Sequence, residues 1–183
     1  MAARNSKVTI HMAASLDGFI ARPDGSTDWI ETSDKFEGGE DPDPEFFQAV
    51  DCYLMGSRTY ETALGFEAEG YGWPYGDKPV YVLTSRDLPK THDTVEFISG
   101  DLAELINDWL RPNYSNIYVA GGGTLAGDML ERGLVDEVRY SILPVLIGEG
   151  IHFFEGMDSE VSLHLMEVKA YKSGVVALRH AVL

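Results

Sequence analysis

The chain has 183 residues, of which 44% are hydrophobic, and this size suits a single globular domain over residues 1–183 with a core of its own. Fourteen basic residues against thirty acidic ones give a formal net charge of −16. This charge argues against nucleic acid and membrane as partners, because both anionic surfaces bind basic proteins. With one cysteine, Cys52, no signal-peptide pattern in residues 1–10 and no long apolar run, the sequence predicts a cytoplasmic protein.

Along the chain, apolar runs first alternate with helical patterns and then give way to strands. Strands are predicted at 7–14, 52–55, 79–83, 95–98, 117–120, 137–143, 161–171 and 175–182. Helices are predicted at 43–50, from residue 56, at 101–110 with Pro112 as the stop, and directly after the glycines at 121–123. The last two strands flank a turn at 172–174. This order predicts an α/β fold, a three-layer α/β/α sandwich with a mixed central sheet and a C-terminal antiparallel hairpin.

A polar loop with several glycines and prolines is predicted from residue 22 to about residue 42, with Trp29 inside it. A loop of this length in a compact domain is typically a functional lid or disordered. Trp29 either belongs to such a cover or merely fixes the loop to the surface. The loop ends at Asp43, which is typical of a helix N-cap because Pro44 follows it.

The three glycines at 121–123 follow an apolar strand and precede a helix. Without Cβ atoms the backbone can approach a ligand closely, and the N–H groups at a helix start favour an anion such as a pyrophosphate. The alternative is a connection in which the glycines only turn the chain. The spacing also fits G-x-G-x-x-A, but that fingerprint follows the first strand of its fold and requires an acidic residue about 20 positions later, which is missing here.

Two further strand ends carry groups suited to phosphate: Ser57-Arg58-Thr59 and Thr84-Ser85-Arg86. Open α/β sheets bind ligands at the carboxyl ends of their strands, so three such junctions together predict a nucleotide site. Two arginines in so acidic a chain favour a cofactor with an additional 2′-phosphate, hence NADP over NAD. The alternative is that each arginine pairs with a surface carboxylate.

Taken together, residues 7–21, 54–61, 81–86 and 117–130 resemble the dihydrofolate reductase superfamily. Residues 15–21 and 143–150 resemble the branch that includes the reductase domain of bifunctional riboflavin-biosynthesis enzymes. The resemblance spans nearly the whole chain and implies that NADP(H) lies across the strand ends. It implies cofactor contacts from Ala13, Ala14, Ile20, Gly56, Ser57, Arg58, Thr59, Leu83, Thr84, Ser85, Arg86, Ala120, Gly121, Gly122, Gly123, Thr124 and Leu125.

For the substrate, the resemblance implies a carboxylate on the first helix, for which Asp43 is the nearest counterpart, although Asp43 is equally explained as a cap. Lys78 stands where folate-reducing members carry an arginine that clamps the folate tail, a role that lysine does not reproduce well. Trp29 and Tyr60 are candidate substrate contacts, with aromatic packing as the alternative for Tyr60.

The sequence thus predicts an NADPH-dependent reductase of a small, flat, pteridine- or pyrimidine-like heterocycle. Alternatives are the 5-amino-6-(5-phosphoribosylamino)uracil reductase of riboflavin biosynthesis and a nucleotide-binding module without turnover. The five histidines are scattered without metal spacing, so no metal site is expected. Exposed terminal strands favour a homodimer.

Overall fold

An eight-stranded mixed β-sheet forms the centre of the computed structural model, which describes residues 6–31 and 44–183. The strands of this sheet are β1 (Lys7–Ser15), β3 (Cys52–Gly56), β4 (Val80–Leu83), β5 (Val95–Ile98), β6 (Asn116–Gly121), β7 (Glu137–Leu143), β9 (Leu163–Ala170) and β10 (Val176–Val182). Their spatial order is β5-β4-β3-β6-β1-β7-β10-β9. β10 runs antiparallel to both of its neighbours, whereas the six strands from β5 to β7 are parallel. The mixed sheet and the C-terminal antiparallel hairpin are confirmed.

Helices cover the sheet in the described residues as α1 (Asp28–Glu31), α2 (Pro44–Ala49), α3 (Ser57–Ala68), α4 and α5 (Gly123–Glu131). The composite helix α4 consists of Leu102–Glu104, a π-helical segment Leu105–Leu110 and Arg111–Asn113. None of the described helices combines the length and the apolar character needed to cross a bilayer.

The alternation of side chains along the strands divides the core into two clusters, one on each face of the sheet. On one face, Ile10 of β1 packs in a cluster with Ile106 of α4 and Met129 of α5, and all three are fully buried. On the other face, Met55 and Val82 pack with Tyr60 of α3. Burial of a side chain of this size contributes about 1.5–3 kcal/mol, so the two clusters hold the helices in place on both sides.

Two features differ from the sequence prediction. Pro112 does not stop α4 before residue 112, because it lies in the last turn of the helix, which continues to Asn113 and ends one residue after the proline. A small antiparallel pair, β2 (Phe19–Ala21) and β8 (Ile151–His152), was also not predicted. It forms where the predicted turn at Asp17 and the predicted loop at 148–150 meet. Asp17 accepts hydrogen bonds from the backbone N–H of residues 147 and 148 at 2.7–3.2 Å.

Candidate active site

A groove of about 1380 Å³ crosses the carboxyl ends of β1, β3 and β6. It brings together the ends of strands that are far apart in the sequence. Ala13, Ser57 and Gly122 all line it. An ideal Cβ on Gly56 would lie 4.0 Å from the backbone nitrogen of Gly122, so the junctions after β3 and β6 are in direct contact. We refer to this feature as the groove.

The three glycines at 121–123 differ in their backbone conformation and in the space that a side chain would have. Gly121 has a φ of +124°, and a Cβ there would lie 2.8 Å from the sulfur of Met12. A Cβ on Gly123 would lie only 2.2 Å from the backbone oxygen of His152. At Gly122 the nearest atom would be the Thr59 hydroxyl oxygen at 3.8 Å, which is ordinary contact. The first and third glycines therefore serve the packing of the chain, and Gly122 keeps the groove surface open.

The helices α3 and α5 both point their N-termini at the groove without a capping side chain. Their N-cap residues are Gly56 and Gly122. Within the part of the chain that the structure describes, neither helix has a side-chain cap hydrogen bond, and neither has an acidic residue in its first turn. The free N–H groups and the helix dipoles at the two N-termini favour an anion here, although the carboxylates of Glu61 and Glu155 also line the groove and Glu155 accepts a hydrogen bond from the Thr124 hydroxyl at 3.0 Å. Such a pair of N-termini fits a pyrophosphate.

Arg58 and Arg86 both lie near the start of α3. Arg58 is exposed and lines the groove, and the described residues give it no ion pair. Arg86, from the loop after β4, donates two hydrogen bonds to the Glu61 carboxylate at 2.6 and 2.9 Å and one to the Ser57 hydroxyl at 3.5 Å. The alternative use of an arginine in surface pairing therefore applies to Arg86, whereas Arg58 faces the groove.

The other end of the groove is lined by aromatic side chains around His11. His11, Phe47 and Tyr118 line it, and the Tyr118 hydroxyl donates to the His11 backbone oxygen at 2.9 Å. The His11 ring centroid lies 5.5 Å from that of Phe47 and 5.8 Å from that of Tyr118. Tyr53 and Tyr75 extend the same wall, with centroids 4.7 Å apart. A flat ring would find aromatic surfaces here rather than charges.

His11 is neutral at physiological pH. Burial lowers its pKa to about 4, with a further contribution from the positive charge of Arg139. Its Nε2 lies 3.1 Å from the Ser141 hydroxyl, and its Nδ1 is buried with no hydrogen-bond partner among residues 6–31 and 44–183. The same burial raises the pKa of Tyr118 well above its usual value. The aromatic end of the groove therefore presents an uncharged surface.

The structure brings most of the predicted cofactor residues to the groove. Those that line it are Ala13, Ile20, Gly56, Ser57, Arg58, Thr59, Leu83, Ala120, Gly122, Gly123, Thr124 and Leu125. Arg86 reaches it through Ser57, and Thr84 accepts a hydrogen bond from the Arg86 backbone N–H at 3.0 Å in the same loop as Ser85. Ala14 and Gly121 are buried behind the groove surface.

The predicted substrate residues lie elsewhere. Tyr60 is fully buried in the cluster between α3 and the sheet, and its hydroxyl donates to the backbone oxygen of Pro89 at 2.7 Å, so packing explains it. Trp29 lies in α1 with 2% of its surface exposed, whereas its neighbour Ile30 lines the groove. Asp43 is outside the described residues, as is most of the predicted lid loop.

Lys78 has a structural task at this site. Its amino group donates to the backbone oxygens of Phe47 at 2.8 Å and of Gln48 at 3.2 Å. These are carbonyls at the C-terminal end of α2, a common place for a lysine. Lys78 thus holds the helix that carries Phe47, and this leaves it poorly placed to clamp a folate tail.

Sequence reasoning missed His11, Phe47 and Tyr118 at the aromatic end of the groove, although a signal was present for two of them. In a strand, residues two apart share a face, and His11 lies two residues before Ala13. The same alternation places Tyr118 beside Ala120 on β6. Pairing these positions would have placed His11 and Tyr118 next to the predicted cofactor residues.

The sequence profile of the RibD C-terminal domain matches residues 6–177. The chain belongs to the RibD C-terminal domain family. The resemblance of the motifs at 15–21 and 143–150 to this branch is therefore confirmed.

Two relatives match this chain over nearly its whole length. The uncharacterized protein YwjB of Bacillus subtilis (strain 168) is 34% identical over 170 residues, which cover 92% of this chain and 94% of that protein. The crystal structure of a putative riboflavin biosynthesis protein from Shewanella sp. PV-4 superposes with a TM-score of 0.82 at 25% identity and covers 97% of this chain and 99% of the other.

A dihydrofolate reductase shares the fold at greater distance. The enzyme of Enterococcus faecalis, solved with NADP(H), gives a TM-score of 0.61 at 14% identity over 98% of this chain and 97% of its own. The likeness concerns the fold, and it confirms the three-layer architecture predicted from the sequence.

Proposed function

We propose that this protein is an NADPH-dependent reductase that transfers a hydride to a small, flat heterocycle of the pteridine or pyrimidine type. The observation that carries the proposal is the meeting of two uncapped helix N-termini, those of α3 and α5, in one groove whose other end is aromatic. A cofactor with a pyrophosphate and a flat ring system matches this succession of groups. Bound NADPH would supply the hydride from its nicotinamide ring.

The residues of the chain then have separate tasks. The backbone N–H groups of residues 57–59 and 123–125 bind the pyrophosphate, and Arg58 binds the 2′-phosphate. Ala13 and Ile20 line the groove between these groups and the aromatic end, where the nicotinamide would lie. Phe47 and Tyr118 flank the substrate ring and exclude water from the site of hydride transfer.

The riboflavin-pathway reaction, reduction of 5-amino-6-(5-phosphoribosylamino)uracil, is the second candidate. Membership of the RibD C-terminal domain family favours it. Lys78 donates its hydrogen bonds to the end of α2, so it does not bind the tail carboxylate of a folate. This argues against folate itself as the substrate.

The test is NADPH binding followed by NADPH oxidation. Calorimetry should detect binding of NADPH, and absorbance at 340 nm should then fall with one of a set of pteridines and aminouracils, including the phosphoribosylaminouracil. Oxidation with the phosphoribosylaminouracil alone would favour the riboflavin reaction. Binding without oxidation by any of them would favour a nucleotide-binding module, and absence of binding would contradict the proposal.

We also propose that the protein forms a homodimer through β9. This strand is the edge of the sheet and exposes all eight of its residues, among them Leu165, Met166 and Val168 at 50–55%. An edge strand with unpaired backbone groups and apolar side chains is a surface that proteins usually cover. A second copy of the chain meets this need with twofold symmetry.

A further inference from the structure

We propose that Glu61 limits the preference for NADPH over NADH by holding Arg86 in an ion pair at the 2′-phosphate end of the groove. The inference rests on the proposed function, because it concerns the cofactor that the groove would bind. Glu61 would then affect the choice between NADPH and NADH, in addition to the residues that bind the phosphates.

The geometry of the pair is specific. The two terminal nitrogens of the Arg86 guanidinium, Nη1 and Nη2, donate to the two carboxylate oxygens of Glu61, at 2.9 and 2.6 Å. This fork is the arrangement with which arginine would otherwise bind a phosphate. Arg86 also lies 3.5 Å from the Ser57 hydroxyl, at the first residue of α3. Its guanidinium therefore lies behind two residues that line the groove, Ser57 and Glu61, with its fork occupied by the Glu61 carboxylate.

The position of Glu61 adds a second effect. Glu61 itself lines the groove, one turn along α3 from Ser57. A 2′-phosphate carries about two negative charges at neutral pH, and it would have to lie near this carboxylate or displace it. The 2′-hydroxyl of NADH carries no charge and meets no such repulsion. Glu61 therefore opposes NADPH selectively.

Arg58 provides the contrast that makes the inference testable. It follows Ser57 on the same helix, lines the groove and has no ion pair among the described residues. The two arginines that look equivalent in the sequence therefore differ. Arg58 is available for the 2′-phosphate, whereas Arg86 is largely neutralised.

The ion pair can be removed without harm to the fold. The side chains of Arg86 and Glu61 are 53% and 42% exposed, and pairs of such exposure contribute little to stability. Glu61→Gln keeps the size of the side chain and removes its charge. A matched control is Glu67→Gln, on the same helix, because Glu67 pairs with His92 at 2.9 Å away from the groove.

The experiment measures the dissociation constants of NADPH and NADH by calorimetry at fixed ionic strength, for the unaltered protein and both variants. Glu61→Gln should tighten NADPH about fivefold or more and change NADH less than about twofold, while Glu67→Gln changes neither. Equal changes for the two nucleotides, no change, or weaker NADPH binding would overturn the inference. If the unaltered protein binds neither nucleotide, both the proposed function and this inference are contradicted.

Discussion

Gly122 and Gly123 are neighbours in the chain but have different surroundings. This difference allows the role of the motif in cofactor binding to be distinguished from its role in packing. The backbone of Gly122 has φ −89° and ψ −165°, which any residue can adopt, and a Cβ there would make only ordinary contacts, at 3.8 and 4.0 Å. The Cβ position of Gly123 is filled by the backbone oxygen of His152. Substitution at these two sites therefore tests which part of the motif serves the cofactor.

We expect Gly122→Ala to weaken NADPH binding about tenfold while lowering the free energy of unfolding by less than about 1 kcal/mol. Gly123→Ala should lower that free energy by about 1–3 kcal/mol, because backbone must move to admit the methyl group. Urea unfolding and calorimetry on the two variants check both statements. Equal loss of stability in the two would show that the motif has a packing function alone.

His11 gives the protein a predictable response to acid. Its pKa in the folded state is about 4, below its ordinary value of 6.5, so between these pH values the unfolded chain binds a proton that the folded chain does not. The contribution of neutral His11 to the free energy of unfolding is therefore fully present above about pH 6.5. This contribution is lost as the pH falls from 6.5 toward 4. The loss amounts to about 3 kcal/mol.

The variant His11→Leu should remove this part of the pH dependence. We expect the free energy of unfolding of the unaltered protein to fall more steeply between pH 6.5 and 4 than that of the variant, by about 3 kcal/mol over the interval. Denaturant unfolding at a series of pH values gives the difference directly. Parallel curves for the two proteins would mean that His11 titrates normally in the folded state.

At the scale of elements, the first turn of α3 concentrates the groups that would recognise the cofactor phosphates. It combines a free N-terminus with Ser57, Arg58 and Thr59, and its N-cap, Gly56, lies against the N-cap of α5. The sequence could place these residues because a glycine after an apolar strand is a local signal. It could not show that Arg86 is bound to Glu61, because that contact joins residues 25 positions apart.

Arg58→Ala should therefore weaken the binding of NADPH much more than the binding of NADH. We expect its NADPH dissociation constant to rise about 10- to 100-fold, the cost of a lost charged hydrogen bond, and its NADH constant to rise less than about threefold. Arg86→Ala in the unaltered background should have the smaller effect on NADPH. Equal losses of NADPH and NADH in Arg58→Ala would remove the basis for a preference for the 2′-phosphate.

Elements whose signals are local were predictable, and those that depend on distant partners were not. The strand at 137–143 was placed to the residue, and the hairpin at 161–182 was found, because apolar runs and a turn with Gly174 mark them. The pair β2 and β8 depends on two segments about 130 residues apart. The π-helical segment before Pro112 likewise has no signature in local propensity.

At the scale of the whole molecule, the sheet carries the groove at the carboxyl ends of β1, β3 and β6 and ends in an exposed edge strand, β9. The first strand lies in the interior of the sheet, as its apolar sequence predicted, while β9 lies at the end with both faces exposed. In the sequence, β9 looked like an ordinary strand of a hairpin. Its exposure follows from the strand order alone, which local patterns do not determine.

The exposed edge leads to a prediction about assembly. We expect size-exclusion chromatography with light scattering to give a dimer mass, and Val168→Lys to shift the protein to the monomer by placing a charge at the edge. Asp93→Lys, at an exposed residue far along the chain from β9, is a control for the added charge. A monomer in the unaltered protein, or a dimer unaffected by Val168→Lys, would exclude assembly through β9.

The central claim is that two helix N-termini in one groove bind a dinucleotide phosphate, and a crystal structure of the protein with NADPH tests it most directly. The account predicts that the pyrophosphate oxygens lie within about 3.2 Å of backbone nitrogens in residues 57–59 and 123–125, with the nicotinamide ring between Ala13 and the aromatic wall at Tyr118. A nucleotide bound away from Gly122, or a groove without nucleotide at saturating NADPH, would contradict it.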